Sequence, residues 1–322
     1  MSYQIFFMLP MALLALGAGS RLQPALDPKL VNDPGLVAIV PRGSSEAALR
    51  AQILLARAHF SCGEIDGIYG EKMRKTAASF QQRHSLRADG TITRATWEQL
   101  NGDGEPALIF YTLTPEDVAG PFQKIPEDMM EKAKLPALSY ESPLEGIAEK
   151  FHTSPALLTR LNPESTFDRV GEELWVPNVF APPPGKAALV VIDGSAYTVT
   201  TLDSRGQIMT HYPATVGSQH DPLPVGRRKI LGVSRNPIFK YNPDLFWDAD
   251  PGHAKATIAP GPNSPVGVVW IDLSKPHYGI HGTPEPALIG RVQSHGCIRL
   301  TNWDAAELAS MVSPGTEALL KK

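Results

Sequence analysis

The placing of proline constrains this chain most. Thirty of its 322 residues are proline, and they divide it into stretches of different character. Proline locks its own φ and removes a backbone donor, so helix interiors and central strands exclude it. Pro106, Pro115, Pro121, Pro126 and Pro136 make residues 102–136 loop-like, and Ala181-Pro182-Pro183-Pro184-Gly185 reads as a semi-rigid spacer. Before that spacer apolar residues recur at helical spacing; beyond it β-prone runs dominate. A multidomain chain is expected, in line with a length well beyond ~150 residues.

Apolar content of 43% and charged content of 20% suit a globular chain able to bury a core. A formal charge of -3 gives no electrostatic reason to expect nucleic acid or an anionic membrane surface as partner. Ile5 to Leu16 form a short apolar run followed by Gly17-Ala18-Gly19-Ser20, so residues 1–20 read as a secretory signal. The run falls short of the ~20 apolar residues of a membrane span. An uncleaved N-terminal anchor is the alternative, and a periplasmic or otherwise extracytoplasmic location is expected either way. Residues 21–45 are rich in Pro, Asp and Gly without a period and read as a linker. Two cysteines far apart, Cys62 and Cys297, do not make a disulfide-stapled scaffold. Cys62 reads as a lone core or loop residue.

From residue 46 to 101 the pattern is that of a small helical bundle. Leu49, Ile53, Ala56 and Phe60 recur at helical spacing, as do Met73, Ala77 and Phe80. Asp66-Gly67 and Asp89-Gly90 are two turn signals of one type, and Thr93 stands where it would cap a last helix carrying Trp97 and Leu100. The runs GEIDGIYG (64–70 with Gly63), Phe80-Gln81 and ADGTITRATWEQL resemble the three-helix peptidoglycan-binding domain. The next unit, 137–178, reads as strand, two short helices and strand. Leu144-x-x-Ile147-Ala148, Leu161-Asn162-Pro163 and Leu174-Trp175-Val176-Pro177 resemble the lysin motif, a βααβ module, which implies binding to N-acetylglucosamine chains. Its first strand departs from that family, with Glu141-Ser142-Pro143 in place of Gly-Asp.

After the spacer, Ala188–Ile192, Tyr197–Leu202, Ile208–Val216 and Val266–Leu273 read as strands, with a hairpin turn at Asp193-Gly194. Residues 218–265 are Pro/Gly-rich and read as an ordered, substrate-lining loop with few regular elements. One helix is expected late in the chain, Asp304–Val312. The C-terminal domain, 186–321, is therefore expected to be mostly antiparallel β and sandwich-like.

The chemistry lies in YGIHGTPEPALIGRVQSHGCIRL, residues 278–300. A thiol attacks an amide as thiolate, and at a free-cysteine pKa of ~8.5 little thiolate exists at neutral pH. An imidazole beside it supplies the base. His281 and His295 are both available, and spacing alone leaves the choice open. Gly282 and Gly296 lack a Cβ, so backbone N–H groups there can approach an oxyanion. Cys297 with the two histidines could also form a zinc set, but no fourth ligand stands at a characteristic spacing.

The stretch resembles the signature of the L,D-transpeptidase catalytic domain: His281-Gly282-Thr283, Ile289-Gly290, and Ser294 through Leu300. Thr215-Val216-Gly217, Pro224-Val225-Gly226 and Pro260 through Pro265 match it more distantly. The resemblance implies Cys297 as nucleophile and His281 as general base. It implies Gly282, Ser294, His295 and Gly296 as lining for the substrate and oxyanion, and Arg299 as a hold on a substrate carboxylate or on the loop. No metal and no cofactor are implied. The implied reaction cleaves the L-centre–D-alanine bond of a peptidoglycan tetrapeptide stem and passes the acyl group to an amine. The acceptor is another stem's diaminopimelate or an outer-membrane lipoprotein's lysine. The alternatives are water, which gives a carboxypeptidase, and a non-catalytic wall-binding protein.

Overall fold

The computed structural model describes residues 26–37, 39–40 and 42–322, so the signal-like run 1–20 lies outside the described residues. Three helices, α1 (Glu46–Arg57), α2 (Glu71–Arg83) and α3 (Arg94–Leu100), form the expected bundle. Ser45 caps α1 by accepting from the Ala48 amide at 3.1 Å, a contact worth about 1 kcal/mol. The two Asp-Gly signals are equivalent turns. Gly67 and Gly90 both have positive φ, and the Asp66 and Asp89 carboxylates each accept from the amide two residues on, at 2.8 Å. Thr93 occupies the N-cap position of α3, but its hydroxyl makes no capping bond. Leu49, Ile53, Met73, Phe80 and Trp97 fill the core of this bundle. Cys62 is free and buried in that core, and burial pushes its thiol up to about 12.

The described part of the expected linker is ordered structure packed on this bundle. Pro28–Asn32 is a short helix with Val31 fully buried, and the Asn32 side chain exchanges hydrogen bonds with Leu108 (2.9 and 2.7 Å). Proline there starts a helix rather than preventing one.

The second module is built differently from the expectation. Its helices, α4 (Pro143–Lys150) and α5 (Pro155–Leu161), are as expected, but residues 137–141 form no strand. The partner of β2 (Glu173–Pro177) is instead β1 (Leu108–Thr112), in the stretch read as loop; they pair antiparallel from Leu108↔Pro177 to Thr112↔Glu173. A 30-residue excursion, 113–142, therefore sits between the first strand and the first helix. The prolines that made 102–136 look irregular lie beside the strand, not in it.

Beyond the spacer lies one nine-stranded sheet. Its strands are β3 (Leu189–Asp193), β4 (Thr198–Leu202), β5 (Ile208–Pro213), β6 (Thr215–Val216), β7 (Gly226–Arg235), β10 (Val269–Leu273), β11 (Gly279–His281), β12 (Ile298–Arg299) and β13 (Glu317–Lys321). A separate hairpin pairs β8 (Phe239–Tyr241) with β9 (Ala256–Ile258). The sheet order is β5-β4-β3-β13-β7-β10-β11-β12-β6. Most pairs are antiparallel, as expected, but β13–β3 and β11–β12 are parallel. The long strand β7 pairs with β13 through its first half and with β10 through its second. The two edges, β5 and β6, are consecutive pieces of one run broken at Ala214. The sheet thus nearly closes on itself, rather than forming a two-sheet sandwich, and one core fills it with Val190, Tyr212, Ile230, Ile271, Ile280 and Leu320. The 218–265 stretch, read as loop, contains β7, which the sequence hid because it begins Gly226-Arg227-Arg228-Lys229 and buries only Ile230.

Helix α6 (Asn302–Met311) packs on this sheet; it starts two residues before the expected Asp304. The bundle covers the β5 edge: the Ser61 amide donates to the His211 carbonyl (2.8 Å) and the His211 amide to the His59 carbonyl (3.1 Å). An edge strand left open is an aggregation hazard, so this covering protects it. Among the described residues, no helix is long and apolar enough to cross a membrane.

Candidate active site

The parallel pairing of β11 with β12 builds the site. Ile280 faces Ile298 and both are fully buried in the core; His281 faces Arg299. Alternation along a strand then puts His281, Arg299 and Cys297 on the opposite side of the sheet from those isoleucines. The histidine sixteen residues before the thiol is thus its diagonal neighbour in space. On its other flank His281 stacks on Trp270, with ring centres 5.4 Å apart and planes 16° apart.

His281 Nδ1 lies 2.7 Å from the Gly282 carbonyl, which can only accept, so Nδ1 carries the proton and Nε2 keeps a free lone pair. Burial first, and the Arg299 charge second, pull this imidazole down to about 3, against the Gly282 bond. It is neutral at pH 7. The half-buried Cys297 thiol points to the His277 carbonyl at 3.6 Å. Burial raises it above its ordinary value, while the Gly279 backbone bond and Arg299 pull the other way. Thiol and imidazole are therefore both neutral at rest, which fits proton transfer during attack better than a standing ion pair.

The remaining expected residues fall around this pair in different ways. Gly296 has φ +94°, and a Cβ there would come 2.7 Å from the Tyr278 ring. Ser294 is buried and closes the loop, its hydroxyl donating to the Cys297 carbonyl (2.6 Å) and its amide to the Gly217 carbonyl (3.0 Å). The Gly282 amide is already engaged, donating to the Val269 carbonyl, and a Cβ there would come 2.1 Å from Asn302 Oδ1, which leaves no room for a side chain. His295 Nε2 is 2.7 Å from Asp248 Oδ1, and the Phe246 ring meets it edge-on at 5.0 Å. The Arg299 guanidinium is largely buried, and its Nε has no partner. A buried, unpaired guanidinium atom costs free energy unless an anion reaches it.

Two acids near the thiol had no signal of their own in the sequence. Asp248 holds His295, and Asp221, with one buried carboxylate oxygen unpartnered, lies within the field of Cys297 and Tyr278. The aromatic-acid run Phe246-Trp247-Asp248, inside a stretch read as substrate-lining, was the available hint. Trp247 is exposed and stacks on His220 at 4.6 Å. Among the described residues no group of three or more His, Cys, Asp or Glu could hold a metal ion.

The parallel pairing thus sets a neutral imidazole on the face of the sheet that carries the thiol, beside a buried guanidinium. Comparison with known proteins supplies the class. A family model for the L,D-transpeptidase catalytic domain matches residues 187–320, and one for a putative peptidoglycan binding domain matches residues 44–100. The chain is 32% identical over 180 residues to the putative L,D-transpeptidase YkuD of Bacillus subtilis, covering 56% of this chain and 93% of that one. It is 48% identical over 108 residues to a putative L,D-transpeptidase from the ATP synthase subunits region of Fuscovulum blasticum, covering 33% and 54%. A solved L,D-transpeptidase from Mycobacterium smegmatis aligns with 23% identity and a TM-score of 0.35, covering 48% of this chain and 75% of that one. The chain belongs to the L,D-transpeptidase family.

Proposed function

We propose that the protein is an extracytoplasmic peptidoglycan L,D-transpeptidase that uses Cys297 as nucleophile and His281 as base. The parallel β11–β12 register, which sets His281, Cys297 and Arg299 on one face, carries this reading. His281 Nε2 takes the thiol proton as sulfur attacks the L-centre carbonyl of a tetrapeptide stem, forming the S–C bond. Backbone N–H groups around Gly296 and Cys297 stabilise the oxyanion. Collapse breaks the C–N bond, and His281 returns the proton to the departing D-alanine amine. An acceptor amine then attacks the thioester and gives up a proton to His281; a C–N bond forms, the C–S bond breaks and His281 passes that proton to the thiolate. Arg299 holds the stem carboxylate. His295, fixed by Asp248, shapes the entrance rather than acting as base.

The bundle 44–100 and the βααβ unit hold the enzyme on the wall. The second reads as a lysin-motif unit whose first strand is β1, so its span extends to about residue 107. A diaminopimelate acceptor (a 3→3 crosslink) is favoured over lipoprotein lysine or water for the presence of the peptidoglycan-binding unit. The test is D-alanine release from a disaccharide-tetrapeptide, with mass spectrometry of products from purified sacculi. Cys297→Ala should release none; release at the wild-type rate sinks the assignment. Loss with His295→Ala but not with His281→Ala would overturn the choice of base.

A further inference from the structure

Between the helical bundle and the catalytic sheet lies a cavity of about 280 Å³. At the small end of ligand-pocket sizes, it suits an amino-acid-sized group rather than a disaccharide. Six acidic or basic side chains (Asp, Glu, Lys or Arg) line it, and three are already engaged. Asp66 holds the Gln52 side chain and the Ile68 amide, Glu71 pairs with Arg74, and Lys75 donates to the Ala196 carbonyl at 2.9 Å. The other three, Glu64, Lys72 and Arg291, form no ion pair with any described residue, although each lies in the others' fields.

Two cations and one carboxylate thus converge without partners on one small space. Burial, then the Arg291 charge, pulls Lys72 down, and burial raises Glu64. Leaving the half-buried Lys72 and Glu64 unpaired is costly unless a ligand of opposite pattern completes them, and the exposed Arg291 adds a second cation to the same space. The complement is a group with a carboxylate and an ammonium close together. The cavity also touches the reacting loop. Arg291 and Gly290 stand six and seven residues before Cys297, and the Gly290 amide is pinned to Thr215 Oγ1 at 2.9 Å.

We propose that this cavity binds an α-amino-acid centre carrying both ammonium and carboxylate, the free side-chain end of a stem's diaminopimelate, with the carboxylate at Lys72 and Arg291 and the ammonium at Glu64. The class of peptide rests on the function proposed above; the charge pattern does not. The bundle then does more than anchor the enzyme, since it presents a second stem beside the loop that carries the thiol.

Calorimetry on the full chain tests this with three probes: diaminopimelate, pimelate (no ammonium) and 1,5-diaminopentane (no carboxylate). Diaminopimelate should bind, and both truncated probes should bind at least tenfold more weakly. Lys72→Met, Glu64→Gln and the surface variant Arg291→Ala should each weaken diaminopimelate binding at least tenfold while D-alanine release from a tetrapeptide stays at the wild-type rate. Binding unchanged in all three variants, pimelate binding as tightly as diaminopimelate, or no binding at millimolar probe overturns the proposal. Absence of D-alanine release from wild type would instead sink the enzymatic reading, and the two failures are separately visible.

Discussion

Gly296→Ala separates two costs that the geometry sets. Left-handed backbone costs an L-residue roughly 1–2 kcal/mol, and forcing a methyl into filled space adds about 1–3 kcal/mol. At Gly296 both apply, since φ is +94° and the new Cβ would sit 2.7 Å from Tyr278 Cε1. Gly171 is the control: its φ is +85°, and nothing lies within 4 Å of a Cβ there. Urea denaturation should therefore show a loss of roughly 2–5 kcal/mol for Gly296→Ala and roughly 1–2 for Gly171→Ala. Adding Tyr278→Ala should recover the contact part, whereas Tyr278→Phe should recover little, because the most crowded atom is a ring carbon and the hydroxyl is farther, at 3.2 Å. D-alanine release should fall about 100-fold in Gly296→Ala, since the neighbouring thiol is misplaced, and stay unchanged in Gly171→Ala. Wild-type stability and turnover in Gly296→Ala, or equal rescue by Phe and Ala at 278, would refute the reasoning.

Iodoacetamide alkylation of Cys297 should titrate with a midpoint above the ordinary ~8.5, and Arg299→Met should raise it further, since the guanidinium opposes burial. A wild-type midpoint below pH 7 would reveal a standing thiolate–imidazolium pair. Asp304 is pushed to about 8 by burial, against ~3.9 unfolded. Its contribution to stability is thus full below about pH 4 and is lost as pH rises toward 8. Asp304→Asn, which keeps an acceptor for the Ser61 hydroxyl, should gain stability relative to wild type across that window, with Glu149 (raised to about 7) leaving a smaller slope of the same sign. A pH-independent difference between the two proteins counts against it. The buried Arg57 binds Asp103 at 2.6 and 2.9 Å and the carbonyls of Pro106, Asn178 and Glu105. Arg57→Ala should cost roughly 3 kcal/mol in urea denaturation, the low end for breaking a buried pair because Asp103 is 44% exposed. Arg57→Lys should rescue little of it, since an ammonium cannot reproduce the guanidinium fork.

The helical bundle and the thiol site were legible in the sequence because their signals are local. Leu49, Ile53, Met73, Ala77 and Phe80 repeat with the helix period, and each Asp-Gly turn is defined by adjacent residues. What escaped was pairing at a distance. Nothing in Leu108–Thr112 says that its partner lies 61 to 69 residues on, and a plausible strand position beside Pro143 competed with it. The short strands β11 and β12 have two or three residues each, too few for a period to appear. Their parallel register nevertheless sets His281 opposite Arg299, two residues past the thiol, so the motif was readable before its geometry was. Gly282 shows the converse: a glycine read as exposing an amide to an oxyanion is needed because Asn302 occupies the space of its side chain.

That asparagine shows why the three units act as one body. Asn302 Oδ1 accepts from the Val268 amide at 3.2 Å, and its Nδ2 donates to the Glu149 carboxylate (3.0 and 3.1 Å) and the Pro262 carbonyl (3.1 Å). Glu149 belongs to the βααβ unit, and Gly282, whose carbonyl fixes the His281 tautomer, lies against the same Asn302 side chain. One residue further on, Trp303 stacks on His152 of that unit at 5.1 Å, and Asp304 accepts from Ser61 of the bundle at 3.0 Å. Three consecutive residues at the start of α6 therefore meet all three units: Asn302 and Trp303 the βααβ unit, Asp304 the bundle, and Asn302 the catalytic domain as well. Buried polar contacts of this kind are directional and tolerate little displacement. A unit that shifted on binding the wall would have to move α6, and with it the carbonyl that keeps the proton on Nδ1 of His281.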